Sequence, residues 1–208
     1  KAFASAPMPK GKRVGIVTNA GGPGIMATDA CIRYGLELSR FEEKTEKILR
    51  SKLPPTASVR NPVDVIGDAR HDRYESALKA VICDQNVDGM LVILTPQSMT
   101  DIDQIANVVV STSKQTAKPI LATFMGVVDV SSGVKILQDN GIPHYTFPES
   151  AAKTFAGMVQ CGSWQARPRT QIKHFNFDRG KCKEVTGKAL KEGRYYLPEW
   201  EATQVLKA

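Results

Sequence analysis

Arg13-Val14-Gly15-Ile16-Val17-Thr18-Asn19-Ala20-Gly21-Gly22-Pro23-Gly24 is the stretch that decides the fold. Its first six residues are apolar and β-branched and then meet glycines, which predicts a buried strand ending in a tight turn. A helix is expected from Gly24 to Tyr34, where Ile25, Met26, Asp29 and Ala30 sit at helical spacings and Gly35 is placed as a C-terminal cap.

The same unit repeats along the chain. Leu36–Leu38 can add a short strand, and Glu42–Lys52 is a charged helix that stops before Leu53-Pro54-Pro55. Asn61 to Gly67 forms a rigid entry, a brief apolar stretch and a turn. A helix over Asp72–Cys83 carries Tyr74, Ala77, Leu78, Val81 and Ile82 on one face. Asp88–Thr95 is a near-continuous apolar run, the pattern of a parallel strand covered on both faces. A helix beginning near Asp101, a strand over Lys118–Phe124, a helix over Ser132–Gln138 and a last strand over Ile142–Phe147 follow. Pro148 then opens a terminal helix. Strand and helix alternate throughout, so the expected class is α/β: a flavodoxin-like or Rossmann-like doubly wound parallel sheet with helices on both faces. Beyond Trp164 the pattern fails, leaving a basic linker over Gln165–Arg169 and a polar helical tail over Gly180–Glu192.

The net charge of +7 is uneven, since ten Lys or Arg against five Asp or Glu lie from Gln165 onward, leaving a surplus of two for the larger part. That tail lacks aromatic interleaving and any DNA-reading motif, so nucleic acid is not the expected partner. No apolar run approaches the roughly 20 residues that cross a bilayer, and a membrane is not expected either. Cys31, Cys83, Cys161 and Cys182 stand apart without a CxxC pair, which argues against zinc or a disulfide framework and fits a reduced, cytoplasmic setting. The opening residues lack Met and a signal-peptide core, so the chain is expected to begin inside a longer protein.

Three turns should meet at the carboxyl end of the sheet, where helix N-termini offer free N–H groups to anions. In Thr18–Gly24, Gly21 and Gly22 clear side chains from the backbone, Pro23 presets helical φ, and Asn19 can hold the loop with its amide. The turn is neither a Walker loop nor the GxGxxG dinucleotide fingerprint, which disfavours a dehydrogenase half. In the second turn Pro62 stiffens the approach, Asp64 can accept loop N–H groups, and Gly67 is expected to take an unusual backbone angle. In the third, Gln97, Ser98 and Thr100 offer polar groups at a helix start, with Ser98 or Thr100 as an ordinary N-cap. His71, His144 and His174 have no acidic or nucleophilic partner at a telling spacing. His71 is expected to be solvated and His144 to lie at a strand end, and no catalytic residue or metal ligand is assigned to this chain.

Three segments, GKRVGIVTNAGGPGIMATDA at 11–30, LPPTASVRNPVDVIGDA at 53–69 and LVILTPQSMTD at 91–101, closely resemble the ADP-forming acyl-CoA synthetases. These are the acetate-CoA ligase relatives of succinyl-CoA synthetase. The likeness covers roughly residues 8–162, and GRYYLPEWEA at 193–202 is similar to the GRxxLxExEA that opens the family's ATP-grasp part. The resemblance implies residues 1–10 as a linker from an upstream domain, 11–164 as the CoA-ligase flavodoxin-like domain, and 165–208 as a linker and the start of an ATP-grasp segment. It implies interconversion of acyl-CoA, ADP and phosphate with acid, CoA and ATP through an acyl phosphate and a phosphohistidine. The phosphohistidine belongs to an SHTG-like motif upstream, which this sequence does not contain.

By the same resemblance Asn19, Gly21, Gly22 and Gly24 face phosphate, while Pro96, Gln97, Ser98 and Met99 occupy the relatives' acid-binding helix start. Asn61 and Asp64 map onto its NPVD and fix the neighbouring loop. Gly126-Val127, where many relatives have a second glycine, is assigned no ligand. CoA, ATP or ADP and Mg are expected in the complete enzyme and none on this domain alone. The expected partners are a CoA-binding and phosphohistidine domain, an ATP-grasp domain and a small carboxylic acid, within an oligomer. The alternative is a non-catalytic regulatory module of the kind fused to acyltransferases.

Overall fold

The computed structural model describes residues 1–126, 128–168 and 176–208. Val127, Arg169 of the expected linker and His174 therefore lie outside the described residues. The chain divides into two compact units, Lys1–Arg167 and Pro168–Ala208.

In the first unit the order is α1 (Ala2–Ser5), β1 (Arg13–Thr18), α2 (Gly21–Arg33), β2 (Glu37–Leu38), α3 (Glu43–Lys52), β3 (Val63–Asp64), α4 (His71–Cys83), β4 (Gly89–Leu94), α5 (Ile102–Lys114), β5 (Ile120–Phe124), α6 (Ser131–Asp139) and α7 (Pro148–Gln165). All strand pairings are parallel and the sheet runs β2-β1-β4-β5, with β3 also on β1. Alternate residues face opposite sides, as the two-residue period of a strand requires. Val17, Met90, Val92, Leu94, Ala122 and Phe124 pack with α3, α4, α5 and α6. Val14, Ile16, Leu91, Ile93 and Leu121 pack with α2 and α7. The doubly wound parallel sheet expected from the sequence is the one observed.

Residues 1–10, expected as linker, carry Ala2 into the α2–α7 layer, where it is fully buried. Helix α2 begins at Gly21, three residues earlier than the apolar spacing suggests, so the glycines form its first turn. Gly35, with φ of 77°, ends it in the left-handed conformation that glycine adopts without a Cβ clash. The strand expected over Ile142–Phe147 does not form. Pro143 has no N–H to give a ladder, and the segment pairs with β5 only at His144. There Ala122 N–H donates to Pro143 C=O at 2.9 Å, Tyr145 N–H donates to Ala122 C=O at 3.0 Å, and the Phe124 N–H donates to His144 Nε2 at 3.2 Å. An imidazole thus takes a position that a sixth strand's carbonyl would fill.

The opposite edge shows the same device. Strand β2 pairs with Arg13 and Val14 of β1, and β3 pairs with Val17 and Thr18, leaving a gap between them. The Asn61 amide fills it. Ile16 N–H donates to Asn61 Oδ1 at 3.0 Å, and Asn61 Nδ2 donates to Val14 C=O at 2.7 Å and to Ser39 C=O at 3.1 Å. One side chain satisfies backbone groups that burial would otherwise orphan.

The second unit holds α8 (Arg179–Lys191) and α9 (Glu199–Leu206). Asp178 caps α8 by accepting the Lys181 N–H at 3.0 Å. Arg194 forks onto buried Glu201, Nη1 to Oε2 at 2.8 Å and Nη2 to Oε1 at 3.0 Å, and also donates to Glu192. These are the arginine and second glutamate of GRYYLPEWEA, so that segment's spacing serves a bidentate pair between the turn and α9.

Candidate anion site at the carboxyl end of the sheet

Strand order reverses beside β1: β2 and β3 lie on one side and β4 on the other. This is the switch point at which α/β sheets open a crevice. Asn19 spans it. Its Nδ2 donates to Thr95 C=O at 2.8 Å, and Thr95 N–H donates back to Asn19 Oδ1 at 2.8 Å, so the turns after β1 and β4 are tied by two reciprocal bonds. Asn19 is buried, and its amide braces the two turns. Thr18 closes the first turn, accepting the Ala20 N–H at 3.0 Å and donating to Ala20 C=O at 2.9 Å.

From that brace α2 starts without a cap. Its N-cap residue is Ala20, which has no side-chain acceptor. Pro23 has no N–H, and the Gly24 N–H is already bonded to Ala20 C=O at 3.1 Å. The N–H groups of exposed Gly21 and Gly22 have no acceptor among the described residues. A side chain at Gly22 would meet nothing within 4 Å, so the space before it is open, whereas Gly24 is buried against Thr18. Two free donors, the positive end of a 13-residue helix and an open approach are the elements that an anion cradle requires.

An acidic neighbour enters this cradle, contrary to what the glycine turn alone suggests. Asp64 Oδ2 lies 3.8 Å from where a Cβ on Gly21 would stand. Its Oδ1 accepts the Ile66 N–H at 2.9 Å, and its backbone exchanges two bonds of 3.1 Å with Ser58. The left-handed residue of this turn is Ile66, with φ of 71°, and not Gly67. A β-branched side chain held there stores strain of about 1–3 kcal/mol, a feature that collects at functional turns. Gly67 lies beside the Asn19 carbonyl, and a Cβ there would meet it at an ordinary contact distance of 3.9 Å, so this position does not require glycine.

The third turn differs from a helix start. Helix α5 begins at Ile102, so Pro96, Gln97, Ser98 and Met99 precede it in an open turn, and the α5 N-cap is Asp101 rather than Ser98 or Thr100. Thr100 Oγ1 accepts the Gln97 N–H at 2.8 Å, while Gln97, Ser98 and Met99 are exposed and Pro96 is buried. Asp101 does not cap its own helix. It accepts the His71 N–H at 3.1 Å and holds the His71 ring nitrogen Nδ1, clamping the first residue of α4 to the start of α5. His71 is therefore engaged by a carboxylate 30 residues away, which no local spacing announces.

Tyr74 supports the crevice from below. Its hydroxyl donates to Ile93 C=O at 2.8 Å, and burial pushes the phenol far above its ordinary value, with the Asn19 N–H acting the other way. In the sequence Tyr74 shows only as part of an apolar helix face, because its hydroxyl partner lies on β4. Burial likewise pushes the Cys31 thiol up to about 12, so it is an inert core residue. Among the described residues no cluster of three or more His, Cys, Asp or Glu could hold a metal ion, and no helix is long and apolar enough to cross a membrane.

Residues 14–168 match the Ligase-CoA domain family. The chain belongs to this family. Along its whole length this Ligase-CoA chain is 35% identical to the ADP-forming 4-hydroxybutyrate–CoA ligase of Nitrosopumilus maritimus, of which it covers 30%. Over 74% of its length it is 40% identical to the alpha subunit of the ADP-forming acetate–CoA ligase II of Pyrococcus furiosus, covering 35% of that subunit. Its fold superposes on that of the dinucleotide-forming acetyl-coenzyme A synthetase 1 of Ca. Korarchaeum cryptofilum, solved with phosphate and ADP. The TM-score is 0.72 at 27% identity, over 81% of this chain and 38% of that one. The Ligase-CoA chain thus spans about a third of the relatives it matches.

Proposed function

We propose that the chain is the part of an ADP-forming acyl-CoA synthetase that receives phosphate and the acid carboxylate on free backbone donors. The observation that carries the reading is the uncapped start of α2, where the Gly21 and Gly22 N–H groups stand open on a turn braced by Asn19 and Thr95. In the reaction, phosphate attacks the acyl-CoA carbonyl and CoA leaves as the thiol, giving an acyl phosphate. The phosphoryl group then passes to a histidine of another domain, releasing the acid as its carboxylate, and from the phosphohistidine to ADP, giving ATP and restoring the histidine. Fixed N–H donors suit a phosphoryl group in transit because they stabilise its charge without reorganising.

In this reading Gly21 and Gly22 bind the phosphate, Asn19, Asn61 and Tyr74 hold the turns that present them, and the exposed Gln97-Ser98-Met99 turn faces the acid. Asp64 bounds the cradle and repels an anion that sits too close to Gly21, favouring the Gly22 side. A CoA-binding and phosphohistidine domain, an ATP-grasp domain and Mg complete the enzyme, which is a cytoplasmic oligomer. This chain alone catalyses no acyl-CoA formation.

The test uses the complete enzyme. Gly22→Asp puts a carboxylate into open space at the cradle and is expected to slow phosphohistidine formation from acetyl-CoA and phosphate by at least about 100-fold, the scale of losing one fixed oxyanion donor. Unchanged phosphohistidine formation would refute the assignment.

A further inference from the structure

The gap between β2 and β3 opens outward into a cleft of about 540 Å³, lined by Ser39, Arg40, Phe41, Arg60 and Asn61 among others. A second hollow of about 620 Å³ adjoins it and shares Leu38, Ser39 and Arg40. None of the residues of the α2 turn lines either one.

Two observations point to a ligand. The Ser39 hydroxyl is buried, the residue being only 4% exposed, and has no hydrogen-bond partner, although both backbone groups of Ser39 are bonded. An orphaned buried hydroxyl costs stability and is retained where something else satisfies it. Arg40 and Arg60 line the same cleft, and neither side chain makes an ion pair or a hydrogen bond among the described residues; in the bonds they do make, both residues accept through their carbonyls. Glu46, an acid on the wall, is engaged by Arg50 at 3.6 Å.

We propose that this edge cleft binds a phosphorylated nucleoside, its phosphate held by Arg40, Arg60 and the Ser39 hydroxyl. Guanidinium forks match phosphate oxygens, and a serine donor completes the set. The volume falls in the range of small-molecule sites and exceeds what inorganic phosphate alone would fill. Phe41, half-buried on the wall, offers a flat apolar face to a base. The bound ligand would abut Asn61, whose amide bridges β1 and the backbone of Ser39.

The probes are ADP, adenosine 3′,5′-bisphosphate and inorganic phosphate, titrated into the isotope-labelled 208-residue chain and followed by amide chemical shifts. Either nucleotide should move the Ser39, Arg40 and Asn61 signals saturably, and the tighter one names the phosphate position recognised. Arg40→Gln and Arg60→Gln should each weaken that binding by about tenfold or more. Ser39→Ala should weaken it by about threefold while leaving stability equal or higher, an outcome that a purely structural serine would not give. Nucleotide shifts confined to Gly21 and Gly22, affinity indifferent to both arginine variants, or inorganic phosphate binding as tightly as the nucleotides would each overturn the proposal. Shifts at Gly21 and Gly22 caused by phosphate report on the α2 cradle separately, so either site can fail alone.

Discussion

Replacing Asn61 by alanine should unzip the outer edge of the sheet. The amide makes three bonds to backbone; the Val14 C=O also accepts the Ser39 N–H at 3.0 Å, which leaves the Ile16 N–H, on a residue with no solvent exposure, as the buried group without another partner. Each buried group left unpaired costs about 1–3 kcal/mol. The adjoining cleft can admit water to the Ser39 carbonyl, so that bond is discounted, and the expected loss is about 2 kcal/mol. Asn61→Asp keeps the acceptor for Ile16 but sets a carboxylate against two carbonyls, and should cost at least as much. Urea dependence of amide exchange, read at Val92 in the central strand so that only the first unit is followed, measures the change. A loss below about 1 kcal/mol in Asn61→Ala would refute the claim that this side chain substitutes for a strand.

Three further outcomes follow from the same geometry. Asp64→Asn keeps an acceptor for the Ile66 N–H while removing a negative charge beside Gly21, and should tighten inorganic phosphate binding by about fivefold, measured by amide shifts; weaker binding would mean that the carboxylate helps hold the ligand. The side-chain hydrogen bond from Arg13 holds the Asp88 carboxyl below its ordinary value, so its contribution is complete above the unfolded pKa of about 3.9 and disappears as pH falls through the lower folded value. Acid unfolding of Asp88→Asn should be correspondingly less steep. Burial lowers the His144 pKa, so stability should decline as pH drops from about 6.5 through the folded value, as the unfolded chain takes up the proton first. His144→Gln should flatten that part of the stability profile; an unchanged slope would contradict the burial of the imidazole.

Much of this architecture was legible because it depends on local pattern. The apolar runs at Arg13–Thr18 and Gly89–Leu94 and the helical face from Tyr74 to Ile82 each announce one element, and their alternation announces the sheet. The start of α2 is not visible in the pattern because helical spacing of apolar residues begins only after the glycines, whereas an uncapped helix can begin on them. The missing sixth strand turns on one residue, Pro143, whose effect competes with otherwise favourable neighbours. The remaining features are long-range. Asn61 filling a ladder, Asn19 joining two turns, Asp101 gripping His71 and Asp64 approaching Gly21 are all contacts between turns that meet only once the sheet is assembled. Asn, Asp and His in turns carry no mark of which distant backbone they will satisfy.

Titration of inorganic phosphate into the isotope-labelled chain tests the central claim most directly. The account predicts saturable downfield movement of the Gly21 and Gly22 amide protons, as those two N–H groups take up an acceptor, with Gly24 little changed because its N–H is already bonded to Ala20. Saturation elsewhere while both glycine amides stay still would contradict it.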